Sequence, residues 1–420
     1  MKRKALERLD RELESYLSSL TDVLGRSDRR ASAVWYVTGL LLDGDRKSLA
    51  PMAARLVDDP DTADAMRQRL QECVVISPWS DDELRERLAR KVVGELPMLA
   101  ALVIDDTGFP KKGIHSVGVQ RQYSGTLGRR DNCQVATSLH VAGERGSACI
   151  ALRLYLPESW TQDPARCRKA GVPDDVEFQT KWQLALAALD DAARWSVPKY
   201  PVLADAGYGD VGEFRSGLHD RGYRYVVGVQ STHVVWAPGT GPMPPRPRTR
   251  TANSPGRPRT RWLAGDDKPV SLRKLALKRD RAACRVVRWR QGSSGQQRSV
   301  FGAVRVRTAH RHELGRAPSV EQWLLYEWPT SEAEPTKYWL STLPATTPLT
   351  KLVRLAKLRW RVERDYQEMK QELGLDHFEG RTWRGFHHHA TLVAVAHAFL
   401  ALRRALSPPE RSAVDAAHGA

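Results

Sequence analysis

The sequence predicts an α/β protein: a mixed sheet flanked by helices, with a helical domain ahead of it and a β-rich insertion inside it. Three observations carry this. Apolar residues recur at helical spacing up to about residue 95; short apolar runs bounded by turn residues begin near 100; amphipathic helices return after 345.

Residues 1–95 form the expected helical N-terminal domain, with Leu13, Tyr16, Leu17 and Leu20 on one face and the pattern renewed from Leu49 to Val57. The stretch GDRKSLAPMAARLVDDPDTADAMRQRL fits two short helices around a turn, as a DNA-reading helix-turn-helix begins, although a plain helical bundle is the preferred reading.

Over residues 96–230, MLAALVIDD, NCQVATSLHVA and SACIALRLYLP read as three consecutive strands. KWQLALAALDDAARW follows as an amphipathic helix, then YPVLADAGYGD as a strand with a Gly-rich end, a helix near Glu213 to Arg221, and the strand YRYVVGVQ. Strands that meander and then alternate with helices make a mixed sheet.

Residues 231–345 read as a β-rich insertion. It opens on a Pro/Arg-rich linker and continues in CRVVRWR, SVFGAVRVR and EQWLLYEW. Over 346–405, LTKLVRLAKLRWRVERDYQEMKQELG reads as one long helix closed by Gly374, and ATLVAVAHAFLALRRAL as another; 406–420 is a tail.

The 66 Lys and Arg exceed the 49 Asp and Glu, for a net charge of +17. Phosphate neutralisation with counterion release makes nucleic acid the natural partner of such a chain. The five cysteines show neither a CxxC pair nor metal-ligand spacing, which excludes a readable zinc ribbon or disulfide framework. MKRKALERLDRELESYL is charged and amphipathic, without the apolar run of a signal peptide or membrane helix, so no membrane partner and a cytoplasmic, nucleoid-associated location are expected.

Three acids stand where elements could bring them together: Asp105 or Asp106 at the end of LVIDD, Asp205 at the end of PVLAD, and Glu363 on the late helix. Neighbouring strands place their carboxyl ends close together, and a helix across that edge can add a third carboxylate. Hard oxygens of this kind suit Mg²⁺. Around Glu363, Arg359 and Lys370 fall at helical spacing, while Leu352, Leu355, Val362, Tyr366 and Met369 line an adjoining apolar face.

With these residues in view the chain resembles the DDE transposases of bacterial insertion sequences, in the branch whose last acid lies in a Tyr-x2-Arg-x3-Glu-x6-Lys signature. Arg359, Glu363 and Lys370 match it, and Ala356 stands at the tyrosine position. VIDDTGFPKKGIHSVGVQRQYSGTLGRRDNCQVATSL, YPVLADAGYGD and RWRVERDYQEMKQELGLDHFEGRTWRGFHHHATLV look like the subfamily's own blocks, over roughly residues 30 to 405.

The resemblance implies a ribonuclease-H-like core, recognition of terminal inverted repeats, and two Mg²⁺ ions, replaceable by Mn²⁺, held by Asp105, Asp205 and Glu363. It also implies cleavage at element ends and strand transfer into target DNA, with a homodimer assembled on double-stranded DNA. Asp105 is preferred over Asp106, and Asp106 stays open because neighbours on a strand point to opposite faces. A domesticated, catalytically inactive DNA-binding relative is the alternative; all three acids stand, which argues against it.

Lys111 and Lys112, with Arg121, Arg129 and Arg130, suit a loop gripping the DNA backbone, or a solvated basic hairpin. The Pro238–Arg261 segment reads as a linker and DNA tether. Trp236, Trp262, Trp289, Trp323, Trp328 and Trp339 are expected mostly in the core, with a base-stacking platform as the lesser reading. His387, His388 and His389 on a helix point in different directions and cannot hold one ion together. Gly207, Gly209 and Gly212 form a GxGxxG after a strand, which raises a dehydrogenase; the next strand ends at Gln230 where an acid would be needed.

Overall fold

The computed structural model describes residues 3–125, 127–245, 262–263, 267–292, 295–309 and 317–406. The chain forms two compact units, one drawn from Met1–Pro198 and Trp360–Ala420, the other from Lys199–Arg359.

The first unit opens with five helices: α1 (Arg3–Thr21), α2 (Ser27–Leu41), α3 (Leu49–Leu56), α4 (Ala63–Gln71) and α5 (Asp81–Glu95). The stripe of Tyr16, Leu17 and Leu20 is buried, as its spacing requires. At α5, the Ser80 hydroxyl accepts from the Glu83 amide at 3.2 Å, and three acids in the first turn meet the positive end of the helix dipole.

Four strands follow: β1 (Leu99–Pro110), β2 (Gln120–Ser124), β3 (Arg129–Gly143) and β4 (Ser147–Leu154). β1, β2 and β4 each pair antiparallel with β3. Leu102, Val103 and Ile104 are wholly buried, so β1 is covered on both faces and reads as a continuous apolar run. β2 was not among the expected strands, because QRQYS has no apolar run; it pairs with the polar, exposed start of β3. Where β3 ends, a Cβ on Gly143 would lie 2.1 Å from the Met98 carbonyl oxygen, so only glycine fits. Helices α6 (Glu158–Thr161), α7 (Pro164–Ala170) and α8 (Lys181–Arg194) complete this stretch.

The second unit begins with β5 (Val202–Ala204), α9 (Ala206–Gly209), α10 (Gly212–Asp220) and β6 (Tyr225–Val229), with β5 and β6 parallel. Next come β7 (Val234–Trp236), β8 (Val270–Ser271), α11 (Leu272–Lys278), β9 (Arg285–Gly292), β10 (Gly295–Thr308), β11 (Gln322–Glu327), β12 (Lys337–Ser341) and α12 (Leu349–Leu358). From β6 outward the order is β12, β11, β10, β7, β8, all antiparallel, with β9 also on β10. Lys357 ties α12 to this sheet: its ammonium lies 2.6 Å from Glu327 and 4.7, 5.4 and 5.6 Å from the ring centroids of Trp289, Phe301 and Trp339. Those two tryptophans are packing residues, as are the buried Trp236 and Trp328. Most of the Pro238–Arg261 segment and nearly all of the 406–420 tail lie outside the described residues.

The chain re-enters the first unit at α13 (Trp360–Gln367), widens into a π-helical turn at Glu368–Glu372, and ends with α14 (Trp383–Leu406). The single long helix expected here is therefore broken at Arg359, where the chain passes from one unit to the other. The π turn lets Met369 bury completely while Lys370 Nζ reaches the Gly108 carbonyl at 2.8 Å. Gly374, with φ +67, closes the segment as expected.

The architecture is α/β with mixed strand pairing and flanking helices. The antiparallel set β1, β3, β4, followed by the parallel pair β5 and β6 with helices α9 and α10 between them, is the strand succession of the ribonuclease-H-like fold. Among the described residues no helix is long and apolar enough to cross a membrane.

Candidate active site

Asp105 and Asp106 are adjacent on β1, and strand geometry sends them to opposite faces. Asp105 pairs in register with Ser138 of β3, and residues directly across an antiparallel ladder share a face. His140 lies two residues further along that face, its Nε2 3.0 Å from Ser138 Oγ. Asp106, on the other face, forms an ion pair with Lys181 of α8.

The Asp105 face is the one that α13 covers. Ser138 Oγ lies 2.5 Å from the Tyr366 hydroxyl, and the edge of the His140 ring meets the Tyr366 ring at 5.5 Å. Burial, and next the negative charge of Asp105, push the Tyr366 hydroxyl well above the ordinary phenol range. Glu363 stands one turn before Tyr366 and is exposed, about 4.5 Å of axial rise away. The helix that carries Glu363 is thus fixed to the strand that carries Asp105.

A second anchor lies two residues after Glu363, pointing the opposite way around the helix. Asp365 is buried; its carboxylate lies 2.8 Å from His140 Nδ1 and accepts from Ser147 Oγ at 2.6 Å. Burial raises the Asp365 carboxyl, but the His140 hydrogen bond and the nearby His397 outweigh it and hold the acid below its usual range. One helical turn on, Glu368 pairs with Arg404 at 2.5 Å and with Arg364 at 2.9 Å. Residue patterns had drawn attention to Glu363 and passed over Asp365, whose one visible signal was His140, a lone histidine in the apolar run NCQVATSLHVA.

In the second unit Asp205 follows β5 and caps α9, accepting from the Tyr208 amide at 3.3 Å. The glycines around it act at short range. A Cβ on Gly207 would sit 3.1 Å from Asp205 Oδ1, and one on Gly209 would meet the Gly228 carbonyl oxygen of β6 at 1.8 Å. The GxGxxG therefore makes room for a carboxylate and lets α9 lie against β6.

The basic residues singled out from sequence fall in different settings. Lys370, half-buried, donates to the Gly108 carbonyl of β1 and lies 5.3 Å from the Phe109 ring centroid. Arg359 ends α12 in the second unit. Lys111 donates to the Phe378 carbonyl at 2.9 Å, while Lys112 is exposed.

The three histidines diverge along α14. His387 Nδ1 lies 3.0 Å from the Trp383 carbonyl; His388 lies between the carbonyls of Val74 and Trp79, both at 3.0 Å; His389 Nδ1 is 2.8 Å from the Tyr36 hydroxyl. They are buried packing residues, each pressed by burial down to about 4. For His388, burial outweighs two carbonyls that favour the cation.

Asp105, Asp205 and Glu363 offer only carboxylate oxygens, the donors that Mg²⁺ prefers. Among the described residues no three His, Cys, Asp or Glu side chains are gathered as a ready-made metal cage.

The family described as DDE superfamily endonuclease matches residues 19–296, a stretch that includes Asp105 and Asp205 and stops before Glu363. The chain is also 30% identical over 201 residues to a protein of Microchaete diplosiphon named a probable transposase for insertion sequence element IS701. That similarity covers 47% of this chain, and the chain spans about half, 48%, of the relative's length. With well over half of its residues inside the family's pattern and a ribonuclease-H-like strand succession, the chain belongs to the DDE superfamily endonucleases.

Proposed function

We propose that this protein is an insertion-sequence transposase that cuts phosphodiesters at the ends of its element and joins the freed 3′ ends to target DNA. The observation that carries the reading is the shared face: Asp105 and the helix bearing Glu363 meet on one side of β1, while Asp106 is drawn to Lys181 on the other.

Asp105, Asp205 and Glu363 would hold the metal, Mg²⁺ or Mn²⁺. When bound, a pair of such ions activates the attacking oxygen and stabilises the leaving one in an in-line displacement. The chain's own part is positional: Tyr366 and Asp365 hold α13 against the sheet, so Glu363 keeps a fixed place relative to Asp105. Arg359 and Lys370 supply positive charge near the same helix for the DNA backbone. Pairing two element ends calls for two copies of the chain on DNA.

The test is cleavage of duplexes carrying the inverted repeats that flank the gene, with Mg²⁺ or Mn²⁺, by wild type and Glu363→Gln. The reading expects end-specific nicks from wild type and none from the variant, with DNA binding kept in both. Binding without nicks in either protein would overturn it in favour of a non-catalytic DNA-binding role.

A further inference from the structure

A cavity of about 350 Å³ opens in the first unit between the loop 110–116, which follows β1, and the loop 376–381, which precedes α14. Four basic side chains line it, Arg46, Lys111, Lys112 and Arg381, against two carboxylates, Asp376 and Glu379. Glu379 is engaged at the rim with Arg46 at 2.8 Å. Inside, Lys111 is half-buried and donates to the Phe378 carbonyl; burial holds its ammonium below the usual lysine range, with the charges of Asp376 and Glu379 only partly offsetting it. A cationic cavity of this kind favours an anion that can replace lost hydration.

The walls are built. Asn132 Nδ2 donates to the carbonyls of Lys111 and Gly113 at 2.6 and 3.0 Å, and the Lys111 amide returns a bond to the Asn132 carbonyl at 2.9 Å. The Val117 amide donates to the Arg381 carbonyl at 3.1 Å, joining the two loops. Behind them the Phe378 ring stacks on His389 at 5.1 Å, and a Cβ on Gly380 would fall 2.1 Å from that ring. The cations are therefore presented on a frame set in place before any ligand arrives.

Position selects the ligand. Pro110, at the cavity wall, lies five residues beyond Asp105 on the same strand, roughly 17 Å at the rise of a β-strand. That is too far for the phosphate under attack at Asp105 and within reach of others on the same duplex. We infer that the cavity is a receptor for a DNA backbone phosphate flanking the cut site, held by Lys111, Lys112 and Arg381. The inference rests on the reading above that DNA is the substrate.

The test is fluorescence anisotropy of the full chain with element-end and unrelated duplexes, in EDTA, over a salt series. The variant is Lys112→Gln with Arg381→Gln, both exposed and outside the carboxylate site. Lys274→Gln with Lys278→Gln on α11 removes equal charge elsewhere. Each lost phosphate contact lowers the slope of log affinity against log salt by about 0.9, so a drop of about one is expected, with affinity falling about tenfold on both duplexes. The pair Lys112→Arg with Arg381→Lys should restore both, and an unchanged melting temperature shows that the fold is intact. An unaltered slope, or one that falls no more than in the α11 control, overturns the inference. Because binding is read without metal, a failed cavity with intact cleavage, and failed cleavage with a working cavity, are distinct results.

Discussion

The hydroxyl of Tyr366 lies 2.5 Å from the Oγ of Ser138, the residue directly across the β1–β3 ladder from Asp105. One hydrogen bond thus links the helix of one proposed catalytic acid to the strand of another. Tyr366→Phe keeps the ring and removes this bond, a loss of about 1 kcal/mol in stability. End cleavage should fall about tenfold or more while DNA affinity stays within twofold, as read by single-turnover nicking and anisotropy; equal loss of both would place the role in binding.

The two aspartates of β1 should separate cleanly. Asp105→Asn is expected to lower nicking by at least a thousandfold without loss of fold. Asp106→Asn, which breaks the ion pair with Lys181 of α8, should keep nicking within tenfold. Its partly exposed pair is worth about 1 kcal/mol or less. Parallel nicking assays on the two variants decide, and a reversed order would move the site to the α8 face.

Asp365 and His140 form a buried pair, and removal of the acid leaves the buried His140 ring without its Nδ1 partner. Asp365→Ala should cost about 3–5 kcal/mol, seen as a lower urea midpoint. A loss below about 1 kcal/mol would mean that α13 is held without it.

The three histidines of α14 give the fold an acid limit. Each is held down to about 4 by burial, against about 6.5 in the unfolded chain. As pH falls through 6.5 the unfolded chain takes up protons first, so stability declines from there to about 4 and stays low below it. The linkage is on the order of 3 kcal/mol for each ring. Urea midpoints should fall steadily between pH 6.5 and 4.5, and His389→Gln should flatten the decline; a flat profile over that window in wild type contradicts the assignment.

Much of the sheet was legible because its strands are buried on both faces. LVIDD, NCQVATSLHVA and YRYVVGVQ announce β1, β3 and β6 through apolar runs that nothing else explains. β2 was hidden because QRQYS is a polar strand whose pairing, and not its composition, makes it a strand. Alternation along β1 showed that Asp105 and Asp106 diverge, but the covering helix follows only from the contacts of Ser138 with Tyr366 and of Asp106 with Lys181. Asp365 was missed because a buried acid on a helix is recognised by its partners, and those lie 225 and 218 residues away at His140 and Ser147. The break at Arg359 left no mark, since the segment around it holds neither Gly nor Pro and Lys357, Leu358 and Arg359 are good helix formers.

The claim that one metal site draws on Asp105, Asp205 and Glu363 is tested most directly with Fe²⁺ in place of Mg²⁺, in the complex with end DNA. With hydrogen peroxide and ascorbate added, Fe²⁺ reduces the peroxide to hydroxyl radical and hydroxide at the bound site, the radicals cut the nearby backbone, and the fragments report which residues lie around it. The account predicts scission near residues 105, 205 and 363 together, all three lost in Glu363→Gln and competed by excess Mg²⁺. Scission confined to other segments, or a pattern unchanged in Glu363→Gln, would contradict it.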